Sequence, residues 1–301
     1  MLSRRTMLLA PLGTLAISSL RAAGASGRMT LALHQNTSAA AGYRKSLEGW
    51  ARAGIRNVEI TAQLLDDFLK TDSLAAAGRV LTDNGLTPVS CACGVNGLWE
   101  PNPNHAAAID NLKKRCEMLA TLKLPRFYAP VVATAKFTED DYRIGADNMR
   151  TVGDVARQFS MTAMAEFTRA STFIATLGTA LRVTREAAHP NMRVLFDCYH
   201  FWSGQSKFED LDQLMPGEIG HVHFQDVPAM PRELLDQTTR VIPGDGVTPL
   251  VRILRKLAGK GYAGPLSVEL FLPRFQQGDP SDVAREIRRK AEVVMRQARV
   301  I

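Results

Sequence analysis

Short apolar runs alternate with longer amphipathic segments along the chain after residue 28. Each apolar run has the length and composition of a buried strand, and helical spacing of apolar residues follows it. The predicted strands cover residues 29–34, 57–60, 87–92, 126–132, 161–167, 192–197, 219–225 and 265–271. The predicted helices cover residues 43–53, 66–84, 104–122, 139–159, 171–188, 208–215, 250–260 and 280–298.

Eight strand-then-helix units in a row indicate a parallel sheet, and this number of units over about 270 residues fits a closed (β/α)8 barrel, a TIM barrel. A doubly wound sheet is the alternative, but no Gly-x-Gly-x-x-Gly follows the first strand. No linker or low-complexity tract interrupts the pattern. We therefore expect residues 29–301 to form a single α/β domain.

Residues 1–25 have the features of a targeting segment rather than of a folded element. Arg4 and Arg5 precede an apolar run over residues 8–20, and Ala23-Gly24-Ala25 supplies small residues for cleavage. Paired arginines before a weakly hydrophobic core resemble a twin-arginine export signal. An ordinary Sec signal or a miscalled start codon is the alternative. The first interpretation predicts a periplasmic or secreted protein without a stable membrane anchor, because the apolar run is short for a bilayer span.

The composition is that of an ordinary globular protein, with 46% hydrophobic and 22% charged residues. The net charge of +7 is a mild excess without a clustered basic face, which argues against a nucleic-acid partner. The cysteines form no paired C-x-x-C motif, so we expect buried free thiols rather than structural zinc, with one disulfide left open. They are Cys91, Cys93, Cys116 and Cys198.

Chemistry-bearing side chains stand at the ends of the last four predicted strands: Glu166, Asp197, His223 and Glu269. In a (β/α)8 barrel the carboxyl ends of neighbouring strands converge at the catalytic rim. A lone buried glutamate is more often ion-paired, but four such residues on consecutive strands favour a shared ligand. Three carboxylates and one imidazole form a mostly hard-oxygen set, which predicts one divalent ion, with Mn²⁺, Mg²⁺ or Co²⁺ preferred over Zn²⁺.

These residues lie in motifs that resemble the xylose isomerase-like barrel family over essentially the whole mature chain. The motifs are Glu166, Asp197-Cys198-Tyr199-His200, His221-Val222-His223, Ser267-Val268-Glu269 and Pro243-Gly244-Asp245-Gly246. The family contains sugar phosphate isomerases, ketose 3-epimerases, hydroxypyruvate isomerases and inosose enzymes. The resemblance implies that the Glu, Asp, His and Glu bind metal and that Glu166 and Glu269 also move protons. It further implies that His200 contacts the substrate.

Three further expectations concern the pocket. In the epimerases an arginine follows the metal-binding histidine by six residues, whereas this chain has Ala229 there; Arg232, or alternatively Arg240, is expected to replace it. His34 and Glu59 end strands one and two and are expected to bind substrate as part of the pocket lining.

The seventh predicted strand and the residue after it leave two choices open. His221 and His223 share a strand face, and the later residue lies nearer the rim, so we expect His223 to be the ligand and His221 to lie in a layer beneath it. Asp226 is expected either to orient a ligand or to cap a loop.

Together these features predict proton abstraction beside a carbonyl. A metal that binds adjacent carbonyl and hydroxyl oxygens stabilises an enediolate, and the glutamates remove and return the proton. The predicted activity is isomerisation or epimerisation of an unphosphorylated sugar or keto-sugar, because no phosphate-cradling Gly-rich loop appears. The alternative is a lyase or dehydratase acting on a 3-keto-glycoside or inosose.

Two other classes are less well supported. A non-catalytic sugar-binding protein would be expected to lack a ligand or a glutamate. An abasic-site endonuclease of the same barrel family uses three zinc ions and several additional histidines, whereas this chain has six histidines and none at the ends of predicted strands two and three. We therefore expect a small carbohydrate or cyclitol as the partner and leave a homodimer open.

Overall fold

The computed structural model describes residues 28–301, so the export signal expected at residues 1–25 lies outside the described residues. Eight parallel strands close into a barrel in chain order, which confirms the predicted fold. The strands are Thr30–His34 (β1), Asn57–Thr61 (β2), Thr87–Ala92 (β3), Arg126–Pro130 (β4), Thr162–Glu166 (β5), Met192–Asp197 (β6), Ile219–His223 (β7) and Pro265–Val268 (β8).

The helices surround the barrel and bury apolar faces against it. They are Gly42–Arg52 (α1), Ala62–Leu69 (α2), Leu74–Asp83 (α3), His105–Thr121 (α4), Glu139–Gln158 (α5), Leu177–Ala187 (α6), Cys198–Ser203 (α7), Leu250–Gly259 (α8), Pro273–Gln276 (α9) and Pro280–Ala298 (α10). Short 3-10 segments occupy Gln35–Ala41, Phe208–Gln213, Arg232–Leu234 and Gln237–Thr239. No helix among residues 28–301 combines the length and apolar character needed to cross a membrane.

Three predicted helices differ from the observed ones. The helix expected over residues 171–188 begins at Leu177, because the Thr176 side chain accepts a hydrogen bond from the Thr179 amide and caps it there. The helix expected over residues 66–84 is broken into α2 and α3, because the Ser73 side chain accepts a hydrogen bond from the Ala76 amide and starts a new helix. The helix expected over residues 208–215 is a 3-10 segment that ends at Gln213, and Pro216 and Gly217 follow closely. The outer layer after β6 is therefore thinner than the sequence pattern predicts.

The strand register places the important side chains beside one another at one rim. Asp197 pairs with His223 across β6 and β7, and His34 pairs with Glu59 across β1 and β2. Glu269 directly follows the last residue of β8. The four cysteines are buried and unpaired, as expected.

Candidate metal centre

Four of the predicted side chains converge at the carboxyl end of the barrel. Glu166, Asp197, His223 and Glu269 each offer a potential ligand atom, and these atoms all lie within 4.8 Å of one another. His223 Nδ1 lies 2.9 Å from Glu166 Oε1, 3.4 Å from Asp197 Oδ2 and 3.5 Å from Glu269 Oε2. All four residues are buried. One imidazole nitrogen is thus the focus of three carboxylates.

Asp197 divides its two oxygens between the fold and this centre. As the last residue of β6, it accepts a hydrogen bond through Oδ1 from the His200 amide at 2.7 Å and so caps α7. Its Oδ2 accepts from Gln225 Nε2 at 2.7 Å. The helix cap fixes the carboxylate plane, which leaves Oδ2 directed toward His223.

The charge around this centre fits a bound cation. Four buried carboxylates, Glu59, Glu166, Asp197 and Glu269, share a low-dielectric interior with Arg240 and His223. Burial lowers the pKa of each of the other three nearby imidazoles, so they add no compensating charge at neutral pH: His34, His200 and His221. An excess of buried negative charge of this size needs a positively charged partner. The donor set of three oxygens and one nitrogen supplies the chemistry of a divalent metal site.

Protons and a cation compete for these ligands. Burial alone would lower the pKa of His223, but Glu59, Glu269 and Glu166 together raise this pKa well above its usual value. Burial likewise raises the pKa of Glu166 to about 7. Because a metal requires deprotonated ligands, its binding at this centre would release protons.

A second buried carboxylate lies behind the imidazole of His223. Glu59 Oε2 lies 3.0 Å from His221 Nε2, in a hydrogen bond, and 3.3 Å from His223 Nε2, in an ion-pair contact. Burial alone would raise the pKa of Glu59, but His221 and His223 hold this pKa well below its usual range. Glu59, His34 and His223 also form a second group whose ligand atoms could approach one ion.

A cavity of about 690 Å³ opens above the centre. Glu166, Glu269, His200 and Arg240 contribute to its lining. His34 and Glu59 do not: both are fully buried behind the ligands, so the expectation that they line the pocket is wrong. They support the residues that do.

Arg240 reaches the carboxylates from the loop between β7 and β8. Its Nη1 lies 2.5 Å from Glu269 Oε2 and 3.2 Å from Asp197 Oδ2. The guanidinium lies 4.8 Å from the ring centre of Tyr199 and 5.0 Å from that of Phe271. Cation–π contacts with both aromatic rings fix this buried charge.

Arg232, the predicted substrate-binding arginine, is not brought to this cavity. Its side chain is exposed and donates to the Gly204 carbonyl at 2.9 Å, away from the carboxylates. The alternative considered from the sequence, Arg240, takes the place at the cavity instead.

Asp226 holds the chain segment that places Arg240 at the cavity. Its backbone pairs with Val241 in an isolated antiparallel bridge, directly beside Arg240. Its buried carboxylate accepts hydrogen bonds from four backbone amides of the two chain segments, at 2.8 to 3.1 Å: Val227, Gly244, Gly246 and Thr248. A Cβ at Gly246 would lie 2.2 Å from the Val227 carbonyl oxygen, so this wrapping requires glycine.

His200 lines the cavity beside Arg240. Its Nδ1 accepts from the Arg169 amide at 3.2 Å. Burial lowers the pKa of His200 to about 4, which keeps the ring neutral. Its Nε2 lies 3.1 Å from Arg240 Nη2, which can only donate, so both ring nitrogens of His200 face donors.

Tyr128 is a cavity residue that sequence reasoning missed. It lies on β4, lines the cavity, and its hydroxyl is 3.0 Å from His34 Nε2. The available signal was its inward position one strand before Glu166, where the pairing of β4 with β5 brings Pro130 beside Glu166.

Comparisons with known proteins agree with this architecture. The profile of the family described as "Xylose isomerase-like TIM barrel" matches residues 20–294. An inosose isomerase from Halalkalibacterium halodurans is 27% identical over 237 residues, which cover 77% of this chain and 84% of that protein. A 3-dehydroshikimate dehydratase from Bacillus anthracis is 27% identical over 129 residues, covering 40% of this chain and 45% of that protein. The crystal structure of the IolI protein with a bound zinc atom superposes with a TM-score of 0.83 at 22% identity, covering 90% of this chain and 99% of that chain.

Proposed function

The chain belongs to the xylose isomerase-like TIM barrel family, and we propose that it is a metal-dependent isomerase or epimerase of an unphosphorylated keto-sugar or keto-cyclitol. The convergence of Glu166, Asp197, His223 and Glu269 beneath the cavity carries this proposal. The inosose isomerases among the relatives make an inosose the first substrate to test.

The four converging residues would hold the metal. When bound, the ion would supply a Lewis acid that polarises a substrate carbonyl and lowers the barrier to removing the neighbouring proton. The oxygen-rich donor set favours Mn²⁺, Mg²⁺ or Co²⁺. The zinc in the related IolI structure counts against that order, so Zn²⁺ and Mn²⁺ are the first ions to compare.

The two glutamates differ in their surroundings, and this difference suits opposite roles. Glu269 accepts hydrogen bonds from Arg240 at 2.5 Å and from Asn36 Nδ2 at 3.2 Å, so it is held as a carboxylate that can accept a proton. Burial raises the pKa of Glu166 to about 7, so it can carry and return a proton near neutral pH. We infer that Glu269 is the base and Glu166 the acid in one direction of the reaction.

Polar groups at the cavity wall would orient the substrate. Arg240 supplies hydrogen-bond donors beside His200, and such donors match the carbonyl and hydroxyl oxygens of a sugar or cyclitol. Because Arg240 is fixed between Tyr199 and Phe271, little side-chain freedom remains to be lost on binding.

A dehydratase is the second candidate. The same proton abstraction can be followed by loss of a hydroxyl from the next carbon, which gives an unsaturated product and water. The specific observation that favours this candidate is the similarity to 3-dehydroshikimate dehydratases, which covers 40% of this chain in the Bacillus anthracis protein.

The two candidates can be separated in deuterated water. Protein loaded separately with Zn²⁺ or Mn²⁺ is incubated with an inosose, unphosphorylated keto-sugars and 3-keto-glycosides, and products are followed by NMR. Deuterium on an unchanged skeleton supports isomerisation or epimerisation, whereas an unsaturated product supports the dehydratase and a cleaved one a lyase. Glu269→Gln should abolish exchange, and Glu286→Gln is the matched control, because its partly exposed carboxylate on α10 pairs with Lys290 and Arg274 away from the cavity. Exchange retained in Glu269→Gln would contradict the assignment.

We also propose that residues 1–25 direct export by the twin-arginine route. Replacing Arg4 and Arg5 together with lysine should leave the protein in the cytoplasm, as measured by fractionation of cells that express the full chain. A periplasmic signal unaffected by this change would support the Sec alternative.

A further inference from the structure

Tyr128 holds a position from which its hydroxyl can act on a molecule in the cavity. The residue is 3% exposed, and its ring packs edge-on against His223 with ring centres 5.0 Å apart. It lines the same cavity as Glu166 and Glu269. Packing fixes the ring, so the direction of the hydroxyl hydrogen depends on the group that the oxygen contacts.

That group is His34, and its tautomer is determined by a backbone contact. His34 Nδ1 lies 3.1 Å from the Asn36 backbone nitrogen, which can only donate, so Nδ1 carries no proton. The neutral ring must then carry its proton on Nε2. Because Nε2 lies 3.0 Å from the Tyr128 hydroxyl, His34 donates and Tyr128 accepts.

This direction leaves the hydroxyl proton of Tyr128 available. A neutral tyrosine has one proton to donate, and no other hydrogen-bond partner contacts this hydroxyl within residues 28–301. The hydrogen bond from His34 also polarises the hydroxyl and makes it a better donor. The Tyr128 hydroxyl is therefore a buried, oriented donor that can bind an acceptor atom of a molecule in the cavity.

We propose that Tyr128 donates a hydrogen bond to an oxygen on or beside the reacting carbon of the substrate, and that His34 is the positioning residue that sets its direction. The identity of the acceptor as a carbonyl or hydroxyl oxygen rests on the proposed function. The direction of the hydrogen bond between His34 and Tyr128 does not.

Kinetics with Tyr128→Phe test the donor. This change removes one oxygen and keeps the ring against His223. If the bond strengthens as charge develops on the substrate oxygen, kcat should fall by about tenfold to a thousandfold, with KM changed by less than about threefold. Metal content should be unchanged. Tyr43→Phe is the matched control, because the Tyr43 hydroxyl is also buried but donates to the Ala77 carbonyl at 3.2 Å, away from the cavity.

The nitrogen-15 NMR signals of His34 test the direction without any substrate. The expected spectrum has the proton on Nε2, and the Nε2–H signal should shift in Tyr128→Phe but not in Tyr43→Phe. A proton on Nδ1, a wild-type kcat in Tyr128→Phe, or loss of its metal would overturn the inference. Failure of the proposed function would instead appear as wild-type protein that turns over none of the keto substrates, and the NMR signals would then decide the inference alone.

Discussion

Removing the carboxylate of Asp226 should loosen the loop that carries Arg240. Asp226 Oδ1 accepts from the amides of Val227 and Thr248, and Oδ2 accepts from those of Gly244 and Gly246. Each bond to a charged group contributes about 1.5–3 kcal/mol, and these contributions are not additive because the four donors share one carboxylate. We expect Asp226→Ala to lower the free energy of unfolding by about 3–5 kcal/mol, the range of a broken buried network.

Asp226→Asn is the sharper test of this reasoning. An asparagine side chain can place its oxygen at only one of the two positions, so its NH₂ group would face two backbone N–H donors at the other. We therefore expect a loss of about 2–4 kcal/mol despite the nearly unchanged shape. Activity should fall as well, since the bridge between Asp226 and Val241 holds Arg240 beside Glu269.

Urea unfolding of metal-free protein measures the stability change, and turnover in deuterated water measures the activity. Asp245→Asn is the matched control, because this carboxylate lies in the same loop but pairs with Lys290 at the partly exposed surface. It should cost less than about 1 kcal/mol. A loss below about 1 kcal/mol for Asp226→Asn would refute the role of the network, and full activity in a destabilised variant would refute its link to Arg240.

Three further predictions concern the metal centre. Adding a divalent ion to chelator-treated protein, at a free concentration of about a hundred times its Kd, should raise the free energy of unfolding by about 2.7 kcal/mol. A thermal unfolding midpoint that changes with neither Zn²⁺ nor Mn²⁺ would contradict the proposed metal centre. Glu59→Gln should weaken metal binding by about 10- to 100-fold in calorimetry while the circular dichroism spectrum stays the same, whereas equal affinity would show that Glu59 does not orient His223. The folded-state pKa of His200 is about 4, below the value of about 6.5 for an unfolded chain, so its contribution to stability is present above pH 6.5 and is lost as the pH falls toward 4. In metal-free protein the wild type should therefore lose up to about 3 kcal/mol more than His200→Gln across this interval, and parallel stability curves would contradict it.

The part of the centre that could be predicted depends on regular structure. Parallel strands of a closed barrel end at one rim, so Glu166, Asp197 and Glu269 had to approach each other once their strands were recognised. Strand alternation likewise places His221 and His223 on one face, and the choice of the later residue agrees with its position among the carboxylates. These inferences need only local periodicity and the topology of the fold.

The parts that could not be predicted depend on contacts between distant segments. Arg232 and Arg240 both lie in one long loop, and spacing along the chain does not distinguish them. The choice is made by Asp226, which ties the neighbour of Arg240 to the end of β7, and by the two aromatic rings that enclose the guanidinium. Tyr128 could not be predicted for a related reason. A tyrosine within a strand usually packs in the core, and the sequence does not show which group its hydroxyl contacts.

The contact between Glu59 and His223 adds a chemical detail that the strand pattern could not contain. An imidazole can present either nitrogen to a metal, and the group that contacts the other nitrogen decides which. Glu59, from the second strand, lies 3.3 Å from Nε2, whereas the three carboxylates of the centre surround Nδ1. Nδ1 can donate to Glu166 Oε1 at 2.9 Å. If an ion displaced that proton, the remaining ring proton would lie on Nε2, on the side of Glu59. A residue that the sequence suggested for the substrate pocket instead lies where it would favour Nδ1 as the nitrogen through which His223 would bind the ion.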